Sequence, residues 1–482
     1  MTESPLFPAA AARRRVEDIL TQALADARLR VDAGPVRPRI DPAAIAAELA
    51  PFDFAEPADL DLLIAWTIGQ LETGITHVGH PRYLGLFNPA PTFPAQCADR
   101  IAAAFNPQLA SATTSPAAVA IESHTARALA ARAGLPATAT GHFCAGGSEA
   151  NYTALLCALT HANPGFADRG ARAFSGQPVF YISADSHLAW IKIAHQAGIG
   201  RAGARMIATD GAGRISTAAL ANAIAADRAA GHVPVMVAAT AGTTNAGMID
   251  PLPDCATLAR DERLWFHVDA AWGGGALASD SLRPLLAGIE RADSVTIDGH
   301  KWFATTMGCG VFLTAHPAVL SATFNVAASF MPSHAPDLDP YTTTAQWSRR
   351  FLGLRLFLSL AAGGWPAYAG HVEHAVALTN DLAAAAAARG WSVANTPTLA
   401  VACLIPPAGA PPVKTIVDRV VASGAAWLSA ARFEGRDVVR ACVVNAETTQ
   451  ADIAAVLAAL EQYGLKSSRA ATRLSHEIAR QI

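Results

Sequence analysis

From about residue 139 onward the chain alternates short apolar runs with helical stretches, and this alternation restricts the fold more than any other feature. HFCAGG leads into EANYTALLCAL, VFYISA into HLAWIKIAHQAG, RMIAT into TAALANAIAADRA, and VPVMVAAT into DCATLARDE; LWFHVDA, SVTID and GVFLTA follow. Apolar runs this short read as strands buried on both faces. Strands alternating with helices predict an α/β fold, a mainly parallel sheet with helices on each side. Such sheets gather ligands at the carboxyl ends of their strands. The polar residues directly after each apolar run are therefore where chemistry is expected.

The flanking regions differ. Residues 1–78 show helical spacing in Val16-Ile19-Leu20-Ala23-Leu24, Ile45-Leu49 and Leu60-Leu63-Ile64, broken by Pro35, Pro38 and Pro51. That spacing predicts a helical arm with little core of its own. Residues 79–365 hold the alternating pattern as a large domain. After SRRFLGLRLFLSL, the punctuation Gly363-Gly364-Trp365-Pro366 marks a join. Residues 366–482 read as a small α+β domain: an Ala-rich helix (LTNDLAAAAAARG), the run Leu399 to Ile405, a Pro-rich loop, a helix near 414–422, the run VVRACVVN and a helix from 450 to 462. At 482 residues the chain is long enough for one large core and a smaller second one.

Composition removes classes of function. A formal charge of -3 and a pI near 6.6 provide no basic field for a phosphate backbone, so nucleic acid is not an expected partner. The seven cysteines are scattered without a C-x-x-C pair, which points to reduced thiols and indicates neither a disulfide framework nor a metal site. Arg13, Arg14 and Arg15 are followed by Glu17, Asp18 and Asp26 where a signal peptide would be apolar, and no run of eighteen apolar residues occurs. A cytoplasmic protein without a membrane partner is expected.

Four positions follow strand ends, and each has a functional and a plainer reading. Gly146-Gly147-Ser148-Glu149-Ala150-Asn151 joins a strand to a helix, where glycine permits close backbone approach and unpaired N–H groups attract an anion. A simple turn has the same composition, and the segment is neither G-x-G-x-x-G nor a P-loop. His187 is either an imidazole that stacks on a flat ring or moves a proton, or a residue starting a helix. Thr240 to Asn245 ends an apolar strand in hydroxyl and small residues, either at a polar site or in a loop. Asp269 follows LWFHV directly, where a carboxylate is costly to bury unless a cation pairs with it or it caps a turn.

The fifth position is a lysine. Of 36 basic side chains only Lys192, Lys301, Lys414 and Lys466 are lysines. Lys301 alone follows a strand, in Asp298-Gly299-His300-Lys301-Trp302-Phe303, where its neighbours would partly desolvate the ammonium. A lysine that forms a Schiff base needs that environment.

The order of these features resembles that of the group II pyridoxal-phosphate-dependent amino acid decarboxylases, the family of the glutamate, aromatic amino acid, diaminobutyrate and histidine decarboxylases. Gly-Gly-Ser, a strand-end His, T-A-G-T-T, H-V-D-A-A-W and D-G-H-K-W follow one another in that family's sequence, and the resemblance runs from about His80 to Arg350. It implies a fold type I enzyme: a large domain with a mainly parallel seven-stranded sheet, a small α+β C-terminal domain, and an N-terminal helical arm that wraps the partner in a homodimer with the active site at the interface. It also implies pyridoxal 5'-phosphate on Lys301 as an aldimine, and conversion of an L-amino acid to its amine and carbon dioxide.

In that resemblance Asp269 matches the carboxylate at the cofactor's ring nitrogen, His187 the imidazole stacked on the ring, and Ala271 the small residue on its other face. Gly147 and Ser148 match the phosphate site with Asp298 and His300 nearby, and Thr240 lies beside the ring. Tyr341 matches, within one residue, the loop tyrosine that returns a proton to Cα; loop packing is the alternative. Leu86, Phe87 and Asn88 match a pocket floor suited to an apolar side chain. Arg440 matches an arginine that meets the substrate carboxylate in some relatives, or forms a structural ion pair. The motif Gln346-Trp347-Ser348-Arg349-Arg350 departs from the glutamate-type and aromatic-type versions and leaves the substrate open. Carbon–carbon lyases resembling sphingosine-phosphate lyase and aldehyde-forming oxidative decarboxylases share the lysine, aspartate and histidine; the presence of both His187 and Tyr341 favours plain decarboxylation.

Overall fold

The computed structural model describes residues 6–326 and 339–464. Every apolar run of the alternating region is a strand: β1 (Thr140–Cys144), β2 (Pro178–Ser183), β3 (Ala204–Ile207), β4 (Val233–Thr240), β5 (Trp265–Asp269), β6 (Ser294–Asp298) and β7 (Gly310–Thr314). They form one seven-stranded sheet in the order β1-β7-β6-β5-β4-β2-β3. Neighbouring strands are parallel from β3 to β6, and β7 runs antiparallel to both β1 and β6. Strands β5, β6 and β7 are buried throughout, including Asp269 and Asp298. A carboxylate at the last position of a buried strand leaves the core and faces whatever lies beyond the sheet.

The arm is helical as expected, with α1 (Ala10–Ala33), α2 (Pro42–Leu49) and α3 (Leu60–Gly74). The last two begin at Asp41 and Asp59, whose carboxylates each accept two backbone N–H groups. Only Ala27 of the three helices is buried. Next come α4 (Phe93–Phe105), α5 (Pro116–Arg132) and α6 (Gly147–Ala162). Helix α6 starts directly after β1 and packs across the sheet with ten of its sixteen residues buried. Its amino terminus is thereby aimed along the carboxyl edge of the sheet.

The join expected at residue 365 lies at a kink where two helices meet within Leu354–Ala387. Gly364 breaks the helical regularity at φ 62°, a value glycine adopts without a Cβ penalty, and Pro366 follows at the kink. Beyond it lies a four-stranded antiparallel sheet, β10-β11-β9-β8, made of β8 (Ser392–Val393), β9 (Val401–Ile405), β10 (Ser429–Phe433) and β11 (Arg436–Cys442). Strands β9 and β11 are the two apolar runs read from the sequence. Strands β8 and β10 have short or partly polar sequences and carry no such signal. One hydrophobic core continues from Val268 and Trp272 at the large sheet to Leu399, Val401 and Val439 at the small one.

Candidate active site

The carboxyl ends of β1, β2, β4, β5 and β6 open on one cavity of about 460 Å³. Its walls include Gly147, Ser148, His187, Thr240, Asp269, Ala271, Asp298, His300 and Lys301, together with Phe87 and Asn88. These residues lie as far apart in sequence as 87 and 301. The parallel sheet brings them together because each stands at, or just past, the same end of a strand.

Lys301 Nζ is 3.0 Å from Asp298 Oδ2, and the lysine side chain is one-fifth exposed. The other Asp298 oxygen is buried and has no hydrogen-bond partner among the described residues. Asp269 Oδ1 accepts the Ala271 N–H at 3.1 Å, and Oδ2 accepts from Asn151 Nδ2 at 2.7 Å. Thr240 Oγ1 shares a 2.8 Å hydrogen bond with Ser186 Oγ, and the Thr240 N–H donates to buried Asp250. Asp250 also accepts the Ile215 N–H at 2.7 Å, and burial pushes its carboxyl up to about 7. His187 projects from the turn before the helix Ala189–Gln196 and is exposed to solvent, with only the Ala189 N–H donating to its Nδ1. His300 is anchored through Nδ1, which lies 3.0 Å from the Cys309 carbonyl oxygen and 3.2 Å from the Cys309 nitrogen.

The walls fit pyridoxal phosphate. A Cβ on Gly147 would stand 2.9 Å from Asp298 Oδ2 and 3.2 Å from Ala271 Cβ, so only glycine leaves this cradle open at the start of α6. The first N–H groups of a sixteen-residue helix would be available to an anion there. A carboxylate, an imidazole and one amine complete the donor set of a cationic ring carrying an aldehyde.

The family match follows the same architecture. Residues 45–399 match the pyridoxal-dependent decarboxylase conserved domain. The chain belongs to that family. Among curated relatives it is 32% identical to the aromatic-L-amino-acid decarboxylase of Bacillus atrophaeus over 397 residues, 80% of this chain and 81% of that one. It is 35% identical to the L-2,4-diaminobutyrate decarboxylase of Rhizobium meliloti over 290 residues, covering 60% of this chain and 57% of the relative. Two solved structures superpose with a TM-score of 0.89: mouse CSAD in apo form (27% identity, 95% of this chain and 99% of that one) and Oryza sativa TDC with PLP and tryptamine (25% identity, 96% and 99%). This decarboxylase is a pyridoxal-phosphate-dependent carboxy-lyase of fold type I, acting on an amino acid to form the amine. The carbon–carbon lyase and aldehyde-forming alternatives are not favoured.

Three expected site residues do not line this cavity. Leu86 is 47% exposed and is not one of the wall residues. Arg440 is buried behind Phe87, its Cζ 4.6 Å from the ring centroid, and its guanidinium donates to the carbonyls of Gly85 and Thr244. It has no acidic partner among the described residues, so the ion-pair alternative finds no support, and its Nη2 is buried without a hydrogen bond. Tyr341 is buried beside Trp347, ring centroids 4.9 Å apart, and its backbone N–H donates to the Ala110 carbonyl. Part of the loop between Lys301 and Arg349, residues 327–338, lies outside the described residues, as does Lys466.

Sequence reading missed Asn151, Asp250, Met307 and Trp272 as parts of the site. Asn151 stood inside the quoted glycine-rich segment, but only the fold places it against Asp269. Trp272 stacks on Phe87 at 4.1 Å and on Trp302 at 4.6 Å, a three-ring pile that supports the wall beneath Lys301. The small sheet holds Phe87 in turn. Leu84 pairs with the carbonyl of Trp427 and accepts from the Cys442 N–H, so residues 80–88 are pinned to β11.

Proposed function

We propose that this decarboxylase acts on an L-amino acid with an apolar, aromatic-sized side chain, with Lys301, Asp269 and His187 as its catalytic residues. The observation that carries the reading is the convergence of these three side chains and the α6 amino terminus on one cavity. The apolar preference is supported by Phe87 and Met307 in the wall and by the aromatic-amino-acid relative.

Lys301 would hold the cofactor through Nζ, and Gly147 and Ser148 at the start of α6 would hold its phosphate, with Asp298 and His300 alongside. Ala271 and Thr240 line the ring position. Bound pyridoxal phosphate supplies an electron sink for the pair left on Cα when carbon dioxide departs. Asp269 keeps a proton on the ring nitrogen by offering it an acceptor in a buried, low-dielectric site. His187, an exposed imidazole in the wall, would cover the ring from the solvent side and supply a group able to carry a proton to Cα. Tyr341, the loop tyrosine expected as that acid, is buried beside Trp347 outside the cavity of its own chain, which leaves the role to His187 in this reading. Asn88 and Phe87 border the substrate side chain, and Arg440 acts through Phe87.

A homodimer is part of this reading. Large apolar side chains are exposed on the arm (Leu24, Leu29, Leu62, Leu71) and around the cavity mouth and α4 (Leu86, Met307, Phe93, Phe105). A surface of that kind calls for a partner. Residues 1–78 are its dimerisation arm, residues 79–365 the cofactor domain and 366–482 the small domain. A cytoplasmic setting agrees with seven free thiols, and none of the described helices is long and apolar enough to cross a membrane. The test is carbon dioxide release and amine formation from a panel of aromatic, aliphatic, acidic and basic amino acids by the purified holoenzyme. Turnover confined to acidic or basic substrates would overturn the apolar preference.

A further inference from the structure

Beneath Asp269 lies a row of polar groups that a sheet core has no reason to carry. Trp265, His267 and Asp269 alternate on β5 and so share one face, the face covered by α6. Trp265 Nε1 lies 2.8 Å from Ser294 Oγ, and the same oxygen lies 2.8 Å from His267 Nδ1. His267 Nε2 lies 3.0 Å from Asn151 Oδ1, and Asn151 Nδ2 lies 2.7 Å from Asp269 Oδ2. All five side chains are buried. Each would be costly there unless satisfied.

The direction of this chain follows from its ends. An indole N–H only donates and a carboxylate oxygen only accepts. Asn151 must therefore turn its NH2 to Asp269, which leaves its oxygen to accept from His267. The imidazole then carries its proton on Nε2, and its bare Nδ1 accepts the Ser294 hydroxyl, whose oxygen accepts from Trp265. A proton on Nδ1 instead would set two lone pairs against each other at Asn151. Burial pushes His267 down to about 4, so the ring is neutral near neutral pH, as the chain requires.

We propose that Asn151 and His267 are positioning residues, which fix the Asp269 carboxylate toward the cavity as an acceptor through a one-way hydrogen-bond chain that begins at Trp265. The inference rests on the role of Asp269 proposed above, since it assigns what holds that aspartate in place. The Ala271 N–H holds one oxygen of the Asp269 carboxylate, and the amide of Asn151 holds the other, so that the two bonds together set its orientation.

The test has a structural and a kinetic arm, both on holoenzyme. In ¹⁵N-histidine-labelled protein, solid-state NMR with His267 assigned by difference from H267Q is expected to show a neutral Nε2–H imidazole near neutral pH. An Nδ1–H tautomer or an imidazolium overturns the proposal. His267→Phe is expected to lower kcat by roughly 10–100-fold, the range for removing an outer partner of a ligand, with KM changed by no more than about twofold. Cofactor affinity falls with it. H267Q, whose amide keeps a donor toward Asn151, is expected to recover most of that loss, and N151L combined with His267→Phe is expected to be little worse than either alone. Equal losses in the Phe and Gln variants, or a change confined to KM, overturn it. If His267→Phe does not fold, the tautomer measurement decides. An Asp269→Asn variant with unchanged kcat and cofactor affinity would instead sink the role of Asp269, and the tautomer result would stand by itself.

Discussion

The two halves of the cavity are built differently. The cofactor half comes from strand ends of one sheet, and Asp269 and Thr240 are hydrogen-bonded on the protein side. The substrate half is assembled from residues 80–88, Thr244 and Arg440, which meet only because the small sheet pins the first of these segments. Its one buried cation is held by two carbonyls and a ring and keeps an unpartnered nitrogen. A half built on the strand ends of one sheet suits a chemistry shared across a family. A half made of distant segments is where substrate choice is free to vary.

Variants that strike the cofactor half are expected to have the largest effects. Lys301→Ala should abolish both turnover and the visible absorbance of the bound cofactor; a variant that kept either would remove the lysine from its role. Asp269→Asn should cost about 3–5 kcal/mol of activation free energy, a hundredfold or more in kcat, as breaking one partner of a buried charge pair does. If kcat holds while KM rises, the aspartate belongs to the substrate half instead.

The aromatic pile joins the halves. Trp272→Ala removes a fully buried ring that contacts Phe87 and Trp302 and donates to the Leu399 carbonyl, and should cost about 3–5 kcal/mol in denaturant unfolding. Both cofactor affinity and KM should worsen, and a loss in one alone would show that the halves are mechanically independent. Arg440→Leu leaves the carbonyls of Gly85 and Thr244 without their donor and should cost about 1–3 kcal/mol. Steady-state kinetics should show it mainly in KM; equal damage to cofactor binding would erase the distinction between the halves.

A smaller, graded effect concerns pH. Burial pushes His142 down to about 3 and His267 and His371 down to about 4, from an ordinary 6.5. Their folded-state values lie below the unfolded one, so their contribution is complete above pH 6.5 and is lost as pH falls toward 4. Each can remove up to about 1.4 kcal/mol per pH unit in that window. Thermal melts between these limits should show a steady decline, and replacing His371 with Leu should flatten it. An unchanged slope in that variant would mean that His371 does not titrate on unfolding.

Most of the cofactor half was legible because its residues obey a local rule. A polar residue at or just past the end of a buried strand needs no knowledge of the fold to be noticed, and Lys301, Asp269, His187 and Thr240 were singled out that way, Gly147 as a glycine at the turn from strand to helix. Strand β10 was not, because its alternating half-exposed residues resemble a loop. That Leu86 and Arg440 stand outside the cavity wall, Arg440 against the ring of Phe87, was not legible, because it depends on how β11 grips residues 80–88.

By itself the sequence determined the seven strands and the polar residues at their carboxyl ends, among them the lysine proposed to hold the cofactor, because apolar periodicity and strand-end polarity are properties of neighbouring residues. Only the tertiary structure decided the antiparallel placing of β7 between β1 and β6, the approach of Asn151 to Asp269, and the position of Arg440 behind Phe87. Those depend on distances between elements up to several hundred residues apart, and no local pattern encodes how two such elements pack.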